Sequence, residues 1–189
     1  MFRRIRAATL SPAMEAAPTD PTRAHRAAHL VFGVDERVAS TVFGTLTTMA
    51  TVAAYGRAFR HSPWKVEELV ITTAIVLWIG HVYAHGLSES IHRRRPLRPA
   101  GLWFIAHREL GILLAAVLPC IALTLGGIGV FSERNSIWLA LALGLATLAV
   151  EGVRYARIES LQFGGTLVAV AANVGLGFLV VLLKVLVLH

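Results

Sequence analysis

An all-α, polytopic membrane protein is predicted by three observations. After residue 37 the chain is filled by five apolar stretches, Val38–Phe59, Val66–Leu87, Leu102–Val130, Ser136–Val153 and Leu161–Leu188. Each is near or above the roughly 20 residues that a helix needs to cross a bilayer. The arginines lie mostly at the ends of these stretches. Hydrophobic residues make up 56% of the 189 residues, above the usual share for a soluble domain. Little length remains for a separate soluble domain. The net charge of +7 is read as topology marking and contact with anionic lipid, not as nucleic-acid binding.

The N-terminal arm, residues 1–37, is basic and carries Pro12, Pro18 and Pro21, which favour irregular structure. Its apolar run after Phe2–Arg6 stops at Pro12, too early for a signal peptide. The first span is therefore expected to act as the insertion signal. Thr22–Val34 reads as a short amphipathic helix on the membrane surface, with Thr22 as cap and Arg23 and Arg26 toward headgroups. His25 and His29 stand one turn apart there, without the further ligands a metal site needs.

The predicted spans are 38–59, 66–89, 102–130, 136–157 and 161–188. The arm, the loop after span two with Arg108, and the loop after span four hold thirteen arginines. The other side holds Arg57, Arg60, Lys65 and Arg134, with Lys184 near the end of span five. The positive-inside rule then places the N-terminus in the cytoplasm and the C-terminus outside. Composition suggests a bacterial cytoplasmic membrane. Trp64, Trp103 and Trp138 fall near span ends, where indoles favour the interface. Pro119 should kink span three, and Gly126, Gly127 and Gly129 should end it in a hairpin. Cys120, the single cysteine, reads as a buried structural thiol.

Function must be sought in the polar residues inside the spans. In span two His81, His85 and Glu89 follow i, i+4, i+8 and share one helix stripe. At 1.5 Å per residue, His85, His107, Glu109 and Glu151 all lie about 7–10 Å inside the basic face, with His81 at about 13 Å. Ionisable groups there are costly unless they face protein or water and pair. The expected cluster is His81, His85, His107, Glu109, Glu151 and Arg154. Stapling of helices, with Arg108 or Arg154 neutralising the carboxylates, explains such a cluster equally well.

Histidine beside carboxylate suits proton relay or pH gating. The same donors suit a divalent transition metal, with His81, His85 and Glu151 as a ligand set. Haem held by His85 and His107 has no supporting attachment motif. In span one Thr41, Thr45 and Thr48 form a hydroxyl stripe, able to line a hydrated path or to bond back to the helix's own carbonyls. Asn173, mid-span, needs a hydrogen-bonding partner in a pore or a subunit interface. Glu67 or Glu68 is expected to form an outer salt bridge with Lys184.

Catalytic signatures such as GxSxG, HExxH and a Walker loop are missing, so the chain is read as a non-enzyme. The expectation is a homo-oligomeric ion channel or ion-translocating protein, its partners being the lipid bilayer, inorganic ions and copies of itself. A metal-binding or accessory structural subunit of a larger complex is the alternative.

Overall fold

The computed structural model describes the backbone of residues 21–59, 61–93 and 98–187. Side chains are described from Arg37 onward, apart from Arg93, Lys184, Val185 and Val187 within the helices. The chain divides into two units, Met1–Phe32 and Gly33–His189, and the second carries the helical bundle. The helices are α1 (Pro21–Tyr55), α2 (Pro63–Arg93), α3 (Pro99–Arg108), α4 (Gly111–Gly127), α5 (Glu133–Ile158) and α6 (Phe163–Val187). Among the described residues there is no strand. Residues 22–34, read as a surface helix, are helical, but their side chains lie outside the described residues.

Four helical segments are long and apolar enough to cross a membrane: Arg37–Tyr55, Pro63–His92, Glu133–Ile158 and Phe163–Leu183. The remaining predicted span, span three, is divided. α3 and α4 meet at a bend of 42°, and the break falls at Glu109–Leu110 rather than at Pro119. α4 runs on through Pro119, which is buried. The reason lies in local hydrogen bonding. The Leu110 N–H donates to His107 O at 3.4 Å and the Ile112 N–H to Glu109 O at 3.1 Å. Both reach back three residues instead of four, which tightens the turn and redirects the axis. Gly111 follows at once, and a Cβ there would lie 2.4 Å from Ser40 Oγ and 2.7 Å from Thr41 Oγ1. The missing side chain lets α1 press directly onto the break.

The bent pair covers the same height as α2. α3 begins just beyond the end of α2, and the far end of α4 returns to its start. There the Trp64 indole N–H donates to Gly127 O at 3.2 Å. α4 closes as the glycines predict: Gly129 takes φ +82° and the Val130 N–H donates back to Leu125 O at 2.9 Å. That is a left-handed residue in a Schellman-type end, which glycine adopts without steric cost. Ser132 then caps α5, its Oγ accepting from the Asn135 N–H at 3.3 Å.

At the two extremes burial runs opposite to hydropathy. Arg37–Tyr55 is the least apolar of the four membrane-length segments, yet half of it is buried; α6, the most apolar, is 6% buried. Lipid tails are as apolar as leucine, so helices gain from mutual packing where small residues allow close approach. α1 supplies those residues. Its Gly44 lies on the α4 backbone at Ile112. Its Met49 fills the notch at Gly144 of α5, with Thr45 alongside, and reaches Gly177 of α6. α4 lies between α2 and α5, and α6 packs on α5. The core is Met49, Val52, Val66, Val70, Leu123 and Leu148 with their neighbours.

Candidate functional site

The break in the α3–α4 pair places a carboxylate inside the protein. Glu109 is the residue at which α3 ends, and its side chain is 3% exposed. α2 runs alongside, and His85, half-exposed, brings Nδ1 to 3.1 Å from Glu109 Oε1. Arg108 Nε stands 3.5 Å from the same oxygen. The Trp78 indole N–H donates to Ala106 O at 3.0 Å and ties α2 to α3 beside the pair. The α1 surface at Ser40 and Thr41 holds the break from the other side.

The 3.1 Å separation carries chemical content. A carboxylate oxygen and an unprotonated imidazole nitrogen are both acceptors and would repel at that distance. A proton must lie between them, on His85 Nδ1 or on the Glu109 carboxyl. The pair is thus a hydrogen bond between two titratable side chains, with the Arg108 guanidinium beside the same oxygen. His81 extends the stripe. Its ring centroid is 6.0 Å from that of His85 and 4.7 Å from that of Phe43 on α1. His81 Nδ1 lies 3.2 Å from Leu77 O in its own helix.

The other expected members are placed differently. His107 is exposed, its Nδ1 3.1 Å from Trp103 O and its ring edge-on to Trp103 at 4.3 Å. Glu151 and Arg154 form their own pair on α5, Arg154 Nη1 donating to Glu151 Oε1 at 2.7 Å. Glu151 is buried, and its Oε2 has no hydrogen-bond partner among the described residues. The predicted cluster therefore divides into His81–His85–Glu109, which Arg108 joins, Glu151–Arg154, and His107 against Trp103. Among the described residues no three His, Cys, Asp or Glu side chains are grouped so that they could hold a metal ion. His81, His85 and Glu151 are thus not gathered into a ligand set within the chain.

The hydroxyl stripe of α1 turns inward on its own backbone. Thr41 donates to Arg37 O at 2.9 Å and Thr45 to Thr41 O at 2.8 Å. Thr45 and Thr48 are buried. Such back-bonding satisfies the hydroxyls without water. Asn173 Nδ2 donates to Ala169 O at 3.3 Å and sits against Gly152, at the α5–α6 contact inside the chain. At the opposite end Glu67 accepts from Thr124 Oγ1 at 2.9 Å, and Glu68 is exposed. The Lys184 side chain lies outside the described residues, and so does the salt bridge expected of it.

One consequence concerns the α5 pair. Arg154→Gln leaves the buried Glu151 carboxylate without its charged donor. The expected loss is about 1–3 kcal/mol, read as a lower thermal midpoint in detergent. Adding Glu151→Gln to that variant removes the stranded charge and should recover most of the loss. A double variant no more stable than Arg154→Gln would refute this.

Comparison with protein-family models, with curated proteins and with solved structures finds no match. The functional reading therefore rests on the chemistry of the site.

Proposed function

We propose that this chain is an ion-translocating protein of the bacterial cytoplasmic membrane that works as a homo-oligomer. In this reading the His85–Glu109 pair is its proton relay, gate or cation site. The observation that supports it is a hydrogen-bonded histidine–carboxylate pair, one member buried and the other half-exposed, at a break in a membrane-length segment. Broken helices and intramembrane charges are features of ion pathways, because neither is stable against lipid without protein or water around it.

The oligomer follows from the outer side of α2. Gly80, Ala84, His85 and Ser88 are exposed on it, three small residues at intervals of four beside the histidine. Small residues let a second helix approach closely, and the half-exposed imidazole is better placed against protein or water than against lipid tails. A pathway between copies would pass the pair there. An accessory structural subunit is the competing reading, favoured by the α1 threonines that bond to their own backbone.

The five-span topology, N-terminus in the cytoplasm, belongs to the same proposal: α3 and α4 cross as one broken span. Against a Cys120→Ala background, cysteines at Ser62 and Ser132 should then be labelled from one side of the membrane and a cysteine at Ser160 from the other. If the pair were re-entrant, Ser62 and Ser132 would label from opposite sides. Function itself is tested with proteoliposomes loaded with K⁺, Na⁺ or Cl⁻ and a pH dye. The expected result is flux of at least one ion or of protons. No flux of any kind would favour the accessory subunit.

A further inference from the structure

A crevice of about 770 Å³ opens at the end of the bundle away from the His85–Glu109 pair. It lies between the end of α1, the start of α5 and the later part of α6. Its lining is segregated along the helix axes. Arg57, His61, Ser132, Glu133 and Arg134 line it at the helix ends. Val52, Ala53, Ile137, Leu141 and Val181 line it further in. From Ser132 to Leu141 it follows α5 for about 13 Å of axis. That is close to the roughly 15 Å depth of one leaflet's hydrocarbon.

Volume, length and polarity match one kind of occupant. The size is that of a small-molecule site. A charged mouth above an apolar trough is the polarity of a phospholipid, headgroup above tail. The charge at the mouth is weighted toward cation: Arg57, Arg134 and His61 line it with one carboxylate, Glu133, which His61 Nδ1 approaches to 3.2 Å. Guanidinium is the side chain best suited to phosphate oxygens. We propose that the crevice binds one anionic phospholipid, its phosphate held by Arg57 and Arg134 and one acyl chain lying along Val52, Ile137, Leu141 and Val181. The site is independent of the His85–Glu109 pair, and the lipid would fill the gap between α1, α5 and α6.

Native mass spectrometry of the purified full chain tests this with equimolar dioleoylphosphatidylglycerol and dioleoylphosphatidylcholine. The expected result is a roughly tenfold preference for the anionic lipid at one copy per chain. The variant Arg57→Gln/Arg134→Gln should lose that preference, and Arg157→Gln, at the other end of the bundle, should keep it. Val181→Trp, which fills the trough, should lower retention of both lipids. Equal retention of the two lipids by wild type overturns the proposal, as does a preference that survives in the double arginine variant. Displacement of the lipid by millimolar inorganic phosphate also overturns it, since the site would then recognise a free anion.

Discussion

Gly44→Val should cost about 3 kcal/mol or more and prevent the bundle from assembling normally. A Cβ at position 44 would lie 2.7 Å from Ile112 Cα and 2.8 Å from Ile112 O. Those are backbone atoms, so no side chain can rotate away, and α1 must separate from α4. The damage spreads because α1 contributes a large part of the core. Moving it would withdraw Met49 from Gly144 and Gly177, and Ser40 and Thr41 from Gly111. Val itself is tolerated in membrane helices, so propensity contributes little to the loss. Gly164→Ala is the matched control, since a Cβ there meets nothing within 4 Å. Thermal unfolding in detergent should show a large downward shift for Gly44→Val and little for Gly164→Ala. A Gly44→Val protein as stable as wild type would mean that α1 does not cross α4 there.

The second large effect is functional. Glu109→Gln replaces a buried carboxyl by an amide of nearly the same shape. The amide oxygen can still accept from a His85 N–H, so the contact between α2 and the break can persist. What is lost is the ability to take up and release a proton. Flux through the site should fall by tenfold or more, while the thermal midpoint changes little. His85→Ala removes the other half of the pair and should lower flux to the same degree. A purely structural pair gives the reverse pattern, a lower midpoint with flux unchanged. The two variants combined should be no worse than either alone, because groups acting as a unit are not additive.

The site was partly legible in the sequence because depth along a helix is arithmetic. Counting inward from the arginines put His85 and Glu109 at one level, and the two do meet. The same count put Glu151 at that level too, but depth says nothing about the face on which a residue stands. Glu151 found its partner one turn away in Arg154 instead. The hairpin at Gly129 was legible since a left-handed residue leaves a compositional mark. The break at Glu109–Leu110 was not. Pro119 is the conspicuous helix breaker, whereas the actual bend goes with the tightened hydrogen bonds of Leu110 and Ile112, beside a Gly111 on which α1 lies, and neither leaves a mark in composition.

Nor could apolar content alone have ranked the helices by burial. In water the most apolar helix goes inside. In lipid the order is set by how closely backbones can approach, and the glycine, serine and threonines of α1 decide it. Spacing put Thr41, Thr45 and Thr48 on one stripe with two readings, a hydrated path or bonds back to the helix, and the Thr41 and Thr45 hydroxyls take the second, bonded to Arg37 O and Thr41 O.

Ion translocation through the His85–Glu109 pair is tested by comparing wild type, His85→Ala and Glu109→Gln in proteoliposomes of equal protein content, each loaded with K⁺, Na⁺ or Cl⁻ and an internal pH dye. The expected result is flux in wild type that either substitution abolishes or shifts in pH dependence, with all three proteins equally folded. Flux that is identical in the three proteins would contradict it, and the His85–Glu109 pair would then be a fastening between α2 and the broken span.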